Sequence, residues 1–340
     1  MLSRCARQGF SPGGRSAKGH RYLSPETTQK VEALALKGFG SVEDTRRALE
    51  EVGYICTPQI ATVVFLAVAT DKPLLVEGPA GVGKTELAKA VADSLGRPMI
   101  RLQCYEGLDE AKALYEWEYA KQLLYTQIVK EKVRELIGPA ASLSEAVELI
   151  AAEESAFFSE RFMLARPLLK AITAADPVVL LIDEVDKSDP EFEAFLLELL
   201  SDFQVTIPEL GTRRAASIPL VVLTSNSFRD MSDALKRRCL HLYIDYPLPD
   251  QELAIVRSKL PGLADALAQH MVDAMGRIRS LELKKKPSIS ETLDWARALI
   301  ALQLDTLSPE VIEATLGVIC KHREDARQVA EQSAKIAGSA

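Results

Sequence analysis

The residues best suited to chemistry lie at 78–85, where Gly78-Pro79-Ala80-Gly81-Val82-Gly83-Lys84-Thr85 fits the pattern G-x-x-x-x-G-K-[ST]. Glycines at these spacings let successive backbone N–H groups turn inward around phosphate oxygens. Lys84 sets a positive charge against the outer phosphates of a nucleotide, and Thr85 offers a hydroxyl to Mg2+. Further along, residues 178–186 read VVLLIDEVD, so that Asp183 and Glu184 leave the C-terminal end of a buried apolar strand. Open α/β sheets bind their ligands at that edge. Asp183 suits a metal held through water, and Glu184 suits a base that orients and deprotonates an attacking water. A third apolar run, LVVLTSN at 220–226, ends in Asn226. Its amide can hydrogen-bond the same water or the terminal phosphate; alternatively it closes the strand as an Asx turn. Asp186 reads as the cap of the helix carrying Phe192, Phe195, Leu196, Leu199 and Leu200.

Positioning these groups requires strands that alternate with helices. Apolar runs at 73–76, 178–182 and 220–223, with a further strand at 99–102, alternate with helices, which predicts parallel strands covered on both faces. The helix after the Gly-rich loop places Leu87, Ala88, Val91, Ala92 and Leu95 on one face. Residues 106–175 read as a helical insertion, with Ser144 capping a helix that bears Leu143, Val147 and Ile150. Beyond Pro247-Leu248-Pro249 only helices are expected: about 250–260, about 263–280, one from near Ser290 and one from Ser308-Pro309. The predicted organisation is an extension at 1–40, an α/β core at 41–247 and a small all-α domain at 248–340. A helix starting at Ser24-Pro25 lies in the extension, and the core opens on a capping box at Ser41 and Asp44.

Composition narrows the classes. The 340-residue chain has a formal net charge of −7, which weighs against nucleic acid as the main partner. No apolar run reaches the roughly 18 residues of a membrane span. Cys5, Cys56, Cys104, Cys239 and Cys320 are scattered without metal-ligand spacing, which fits reduced, buried thiols in a cytoplasmic protein. Residues 1–22 hold basic side chains and no acid; they read either as an organellar transit peptide or as a disordered tail, including one left by a mis-set start codon.

The three motifs in this order, with a helical tail, resemble an AAA+ ATPase: an α/β, P-loop core whose parallel sheet is flanked by helices, plus an all-α lid. The phrases RLQCYEGLDEAKALYEWEYAKQLL (101–124), VTIPELGT (205–212), LTSNSFRDMSDALKRRCLHLYIDYPLPD (223–250) and KPSISETLDWARAL (286–299) resemble the MoxR group, nearest its CoxD-like branch, which is linked to carbon monoxide dehydrogenase maturation. The likeness covers about residues 41–330. It implies ATP and Mg2+ as cofactors, hydrolysis of ATP, and a ring, usually a hexamer. It also implies a von Willebrand factor A-type partner and a metalloenzyme client. In that pattern an arginine before the residue opening a strand acts on the neighbouring subunit's ATP; Arg238 matches it, with Arg237 the runner-up, and a solvated pair at a helix end is the alternative. The family's lid arginine has no counterpart, because Glu291 stands at its place and Arg297 falls about 120° off that helical face. The hairpin VTIPELGT, turning at Gly211, and the aromatics Tyr105, Tyr115, Trp117 and Tyr119 are candidate client contacts; a plain surface hairpin and core packing are the alternatives. Lys284–Lys286 reads as a solvated run. A competing reading is a nucleic-acid-associated AAA+ motor or clamp-loader-like ATPase, which RRC (237–239) would suit; another is a nucleotide-switched binding module, against which Glu184 argues.

Overall fold

The computed structural model describes residues 38–124, 162–207 and 210–338. Two helices come first, α1 (Val42–Glu51) and α2 (Pro58–Thr70). Each has a hydroxyl N-cap: Ser41 accepts from Asp44 N–H, and Thr57 accepts from Ile60 N–H with Pro58 behind it. The core follows as β1 (Leu74–Glu77), α3 (Lys84–Leu95), β2 (Met99–Gln103), α4 (Glu110–Leu114), β3 (Tyr115–Trp117), β4 (Met163–Ala165), α5 (Pro167–Ile172) and β5 (Val179–Asp183). It continues through α6 (Pro190–Asp202), β6 (Gln204–Ile207), β7 (Gly211–Arg214), β8 (Leu220–Ser225), α7 (Asp233–Arg238) and β9 (Leu240–Tyr243).

β2-β5-β8-β1-β9 form one five-stranded sheet in that order, and every pairing is parallel. The central strands β5 and β8 are buried along their whole length, which is why their sequences are unbroken apolar runs. One face packs on α4, α5 and α6 through Leu180, Ile182, Leu168 and Leu196. The other packs on α2 and α3 through Val179, Leu181, Val64 and Leu87. The expected α/β class with a covered parallel sheet is therefore what the chain forms. The order leaves the tips of β1, β5 and β8 side by side, so three motifs far apart in sequence end at one edge.

The segment 106–175 departs from an all-helical reading. Its described parts include β3 and β4, which pair antiparallel from Tyr115 opposite Ala165 to Trp117 opposite Met163. Glu116 and Leu164 point outward while their neighbours pack, a period of two too short to stand out from the helical pattern around it. The helix expected at Ser144 and the one at Ser24-Pro25 lie outside the described residues, as does Cys5. Cys56, Cys104 and Cys320 are buried and Cys239 is half-buried, all as free thiols.

After β9 come α8 (Pro249–Lys259), α9 (Asp265–Arg279), α10 (Ile289–Ala301), α11 (Pro309–Ile319), α12 (Arg323–Glu331) and α13 (Ser333–Ala337). They share a separate core around the fully buried Trp295, whose indole N–H donates to Thr315 Oγ1 at 2.8 Å. Inside it, Arg279 pairs with Glu252 on α8 and donates to Thr292 on α10. Lys284, Lys285 and Lys286 are exposed in a loop, as expected, and the backbone N–H groups of the first two donate to the buried Asp325.

Candidate active site

The loop at 78–85 joins β1 to α3 and is shaped by two glycines that no other residue could replace without movement. Gly78 has φ +151°, and a Cβ there would stand 2.0 Å from the Ile244 carbonyl oxygen. Gly81 has φ +77°, and its Cβ would meet Ser288 Oγ at 2.1 Å. Val82 packs into the core, and Ala80 faces the phosphate cavity. Gly83 precedes α3, so the positive end of that helix faces the loop.

Lys84 is buried, and its ammonium donates to Gly78 O at 2.8 Å, Pro79 O at 2.6 Å and Asn226 Oδ1 at 2.8 Å. Burial pulls its pKa below the usual lysine range, opposed by the charges of Asp186, Asp183 and Glu184. Thr85 Oγ1 donates to Asp183 Oδ1 at 3.0 Å. Asn226, at the tip of β8, donates from Nδ2 to Glu184 Oε1 at 3.2 Å. The five motif residues thus meet at one place, although they come from three segments.

They line a cavity of about 260 Å3 with Ala80, Gly81 and Ser290 of the lid. Gly81, Gly83, Glu86 and Ser290 also line a second cavity, of about 790 Å3, between core and lid. Tyr54, Ile60, Tyr246, Ile255 and Leu293 form much of its wall. A small polar chamber opening into a larger, mainly apolar one suits a triphosphate joined to a nucleoside. The oxygens of Thr85 and Asp183 are hard donors that fit Mg2+, which would supply charge neutralisation to the phosphates.

Several site residues escaped the sequence reading. Arg101 and Gln103 alternate on β2, so both face the same way beside β5. Arg101 pairs with Asp183 Oδ2 at 2.5 Å, and Gln103 Nε2 donates to Glu184 Oε2 at 2.9 Å. Lys187 Nζ also reaches Glu184, at 2.6 Å. Thr224 bridges the strands: its hydroxyl donates to Asp183 and accepts from Glu184 N–H at 2.9 Å. Glu184 itself has φ +56°, a left-handed backbone that a non-glycine residue adopts at a cost of about 1–3 kcal/mol. Period-two polarity at the end of β2 was the available signal.

Asp186 is not a helix cap; Asp189 stands at the N-cap of α6. Asp186 is buried and its Oδ2 accepts from Asn226 N–H at 3.0 Å and Phe228 N–H at 2.8 Å. It pins the loop that carries Asn226. Arg238 is not brought to the pocket of its own chain: it donates to Ser201 Oγ at 2.5 Å and Ala234 O at 3.1 Å. Arg237, next to it, is exposed. Glu291, at the lid position of interest, accepts from Ser288 N–H at 2.9 Å and from the Ser288 hydroxyl, closing a capping box on α10. Burial raises its pKa, but the Ser288 hydrogen bonds, its own backbone N–H and the charge of Lys285 together hold it below the usual carboxylate range. Ser290 supplies the lid's contact with the loop, donating to Gly81 O at 3.2 Å. Arg297 lines the larger cavity, paired with Asp294 at 2.8 Å. Tyr105 and Tyr119 are exposed, whereas Trp117 is buried and stacks edge-on with Tyr115 at 5.7 Å. β6 and β7 form the expected hairpin with Gly211 at φ +75°; residues 208 and 209 at its tip lie outside the described ones.

Residues 74–246 match the family model described as the ATPase family associated with various cellular activities (AAA). The chain is similar to the gas vesicle ATPase GvpN of Ancylobacter aquaticus, 25% identical over 320 residues, covering 86% of this chain and 83% of that protein. It is also similar to Protein CbbQ of Hydrogenophilus thermoluteolus, 24% identical over 261 residues, covering 76% and 84%. Among solved structures, a Thermotoga maritima RuvB variant aligns with a TM-score of 0.44 at 16% identity, over 87% of this chain and 77% of that one.

Proposed function

The chain belongs to the AAA family of ATPases and is MoxR-like in the phrases quoted from its sequence; from that premise we propose that it hydrolyses ATP to drive remodelling of a client, in the maturation of a metalloenzyme or the insertion of its cofactor. The observation that carries the hydrolysis is the chain of contacts from Lys84 through Asn226 to Glu184, beside Thr85 and Asp183. In this reading the loop N–H groups and Lys84 bind the phosphates. Thr85 and Asp183 hold Mg2+, and Asn226 sets the position of Glu184. Glu184 takes the proton from a water lined up on the terminal phosphate. The lid closes the nucleoside chamber through Ser290 and Leu293.

The remodelling role rests on the MoxR-like phrases of the sequence. The proposed assembly is a cytoplasmic ring, taken as a hexamer, in which Arg238 or the exposed Arg237 faces the neighbour's nucleotide. A von Willebrand factor A-type protein is the proposed partner, and a CoxD-like role is the proposed branch. Among the described residues no helix is long and apolar enough to cross a membrane. The test is capture with Glu184→Gln protein held in ATP. Recovery of a metalloenzyme subunit or its maturation partner is expected. Recovery of nucleic acid, with DNA-stimulated hydrolysis, would replace this reading with that of a nucleic-acid motor.

A further inference from the structure

Asp183 is 2% exposed and stands beside the phosphate loop. Its Oδ1 accepts from Thr85 and Thr224, and its Oδ2 accepts from the Arg101 guanidinium at 2.5 Å. A buried carboxylate needs a positive partner. Of the other cations close by, Lys84 spends its ammonium protons on Gly78 O, Pro79 O and Asn226, and Lys187 pairs with Glu184 at 2.6 Å. The counter-charge therefore comes from Arg101.

We propose that Arg101 is a displaceable counter-ion of the metal-binding carboxylate, and that its competition for Asp183 Oδ2 sets how much Mg2+ the site requires before it takes up nucleotide. The inference rests on the nucleotide-site reading above. Three features make the contact exchangeable. Arg101 is on β2, the strand at the end of the sheet order, and its side chain is 47% exposed while that of Asp183 is 3% exposed. Its other partner is the side chain of Gln103, itself exposed, at 2.6 Å. The guanidinium can therefore swing into water without itself being left dry, and Asp183 keeps a counter-charge as long as a cation takes its place. By contrast, Arg279 in the lid is only 12% exposed against a buried Glu252, a pair that cannot open without leaving both charges dry. A divalent cation at Asp183 repels the guanidinium and takes over its role as counter-charge, so binding exchanges one partner of Oδ2 for another. Arg101 acts through Asp183 and is a positioning residue.

The test is fluorescent ATP-analogue binding by the full chain, titrated with Mg2+, for wild type, Arg101→Gln and Arg101→Lys. A one-sided exposed pair contributes on the order of 1 kcal/mol, so Arg101→Gln is expected to reach half-maximal binding at about 5-fold lower Mg2+. Binding in EDTA should change by less than about 2-fold, since no metal then competes. Arg101→Lys, which keeps the charge, should stay close to wild type. Arg101→Leu, which keeps the apolar stem, carries the same expectation as Arg101→Gln if the latter does not fold. A neutral variant needing as much Mg2+ as wild type, or more, overturns the proposal and makes Arg101 a prop for Asp183. No analogue uptake by wild type at any Mg2+ concentration would sink the nucleotide-site reading itself.

Discussion

At the scale of single residues, Lys84 and Asn226 separate binding from chemistry. Lys84→Ala removes the buried cation and leaves the Gly78 and Pro79 carbonyls and Asn226 Oδ1 without their donor. Nucleotide binding measured by calorimetry should then disappear. Asn226→Ala keeps Lys84 in place and removes the Nδ2 donor on Glu184. Its expected signature is a kcat lower by about 10²-fold with KM little changed, as for loss of one preorganised polar contact. The contiguous motif was readable because its residue types are demanded by phosphate and metal chemistry in a fixed order. Arg101, Gln103 and Thr224 were not, because they reach the site through sheet register and not through sequence neighbourhood. Asp186 was misread for a related reason: a carboxylate ahead of a helix resembles a cap, while its true partners are 40 and 42 residues away.

Among elements, the lid and the loop are fitted to one another. A methyl at Gly81 cannot coexist with Ser288 Oγ in the present packing. Gly81→Ala should displace the lid and weaken nucleotide affinity while leaving the thermal stability of the sheet nearly intact. Binding and melting measured on one sample distinguish that from general unfolding. Within the lid, Glu252→Ala would strand the Arg279 guanidinium and cost on the order of 3–5 kcal/mol, read as a lower melting temperature. Glu193 ties α6 to the loop behind Asn226 by accepting from Ser232 N–H and Arg229. Burial raises its pKa, but those hydrogen bonds outweigh it and leave it depressed. Its contribution is therefore full above the ordinary carboxylate value of 4.5 and fades as pH falls through the lower folded value. Glu193→Gln should flatten that acid limb in urea melts. Apolar runs and capping residues made four of the five core strands and most lid helices legible. β9 followed only from the family likeness, and β3 and β4 are too short for a period of two to emerge.

For the whole molecule, the sheet order explains why three motifs converge. The proposed ring predicts that specific ATPase activity rises with protein concentration and that Arg237→Ala/Arg238→Ala chains depress it when mixed with wild type. A rate per chain independent of concentration and mixing would remove the neighbour's arginine from the account. Underlying all of this is the claim that Glu184 performs the hydrolytic step on a nucleotide held by the 78–85 loop. The most direct measurement is phosphate release by wild type and Glu184→Gln at equal, calorimetrically verified nucleotide occupancy. The account predicts unimpaired binding with release slowed by about 10²-fold or more. Equal rates at equal occupancy would contradict it.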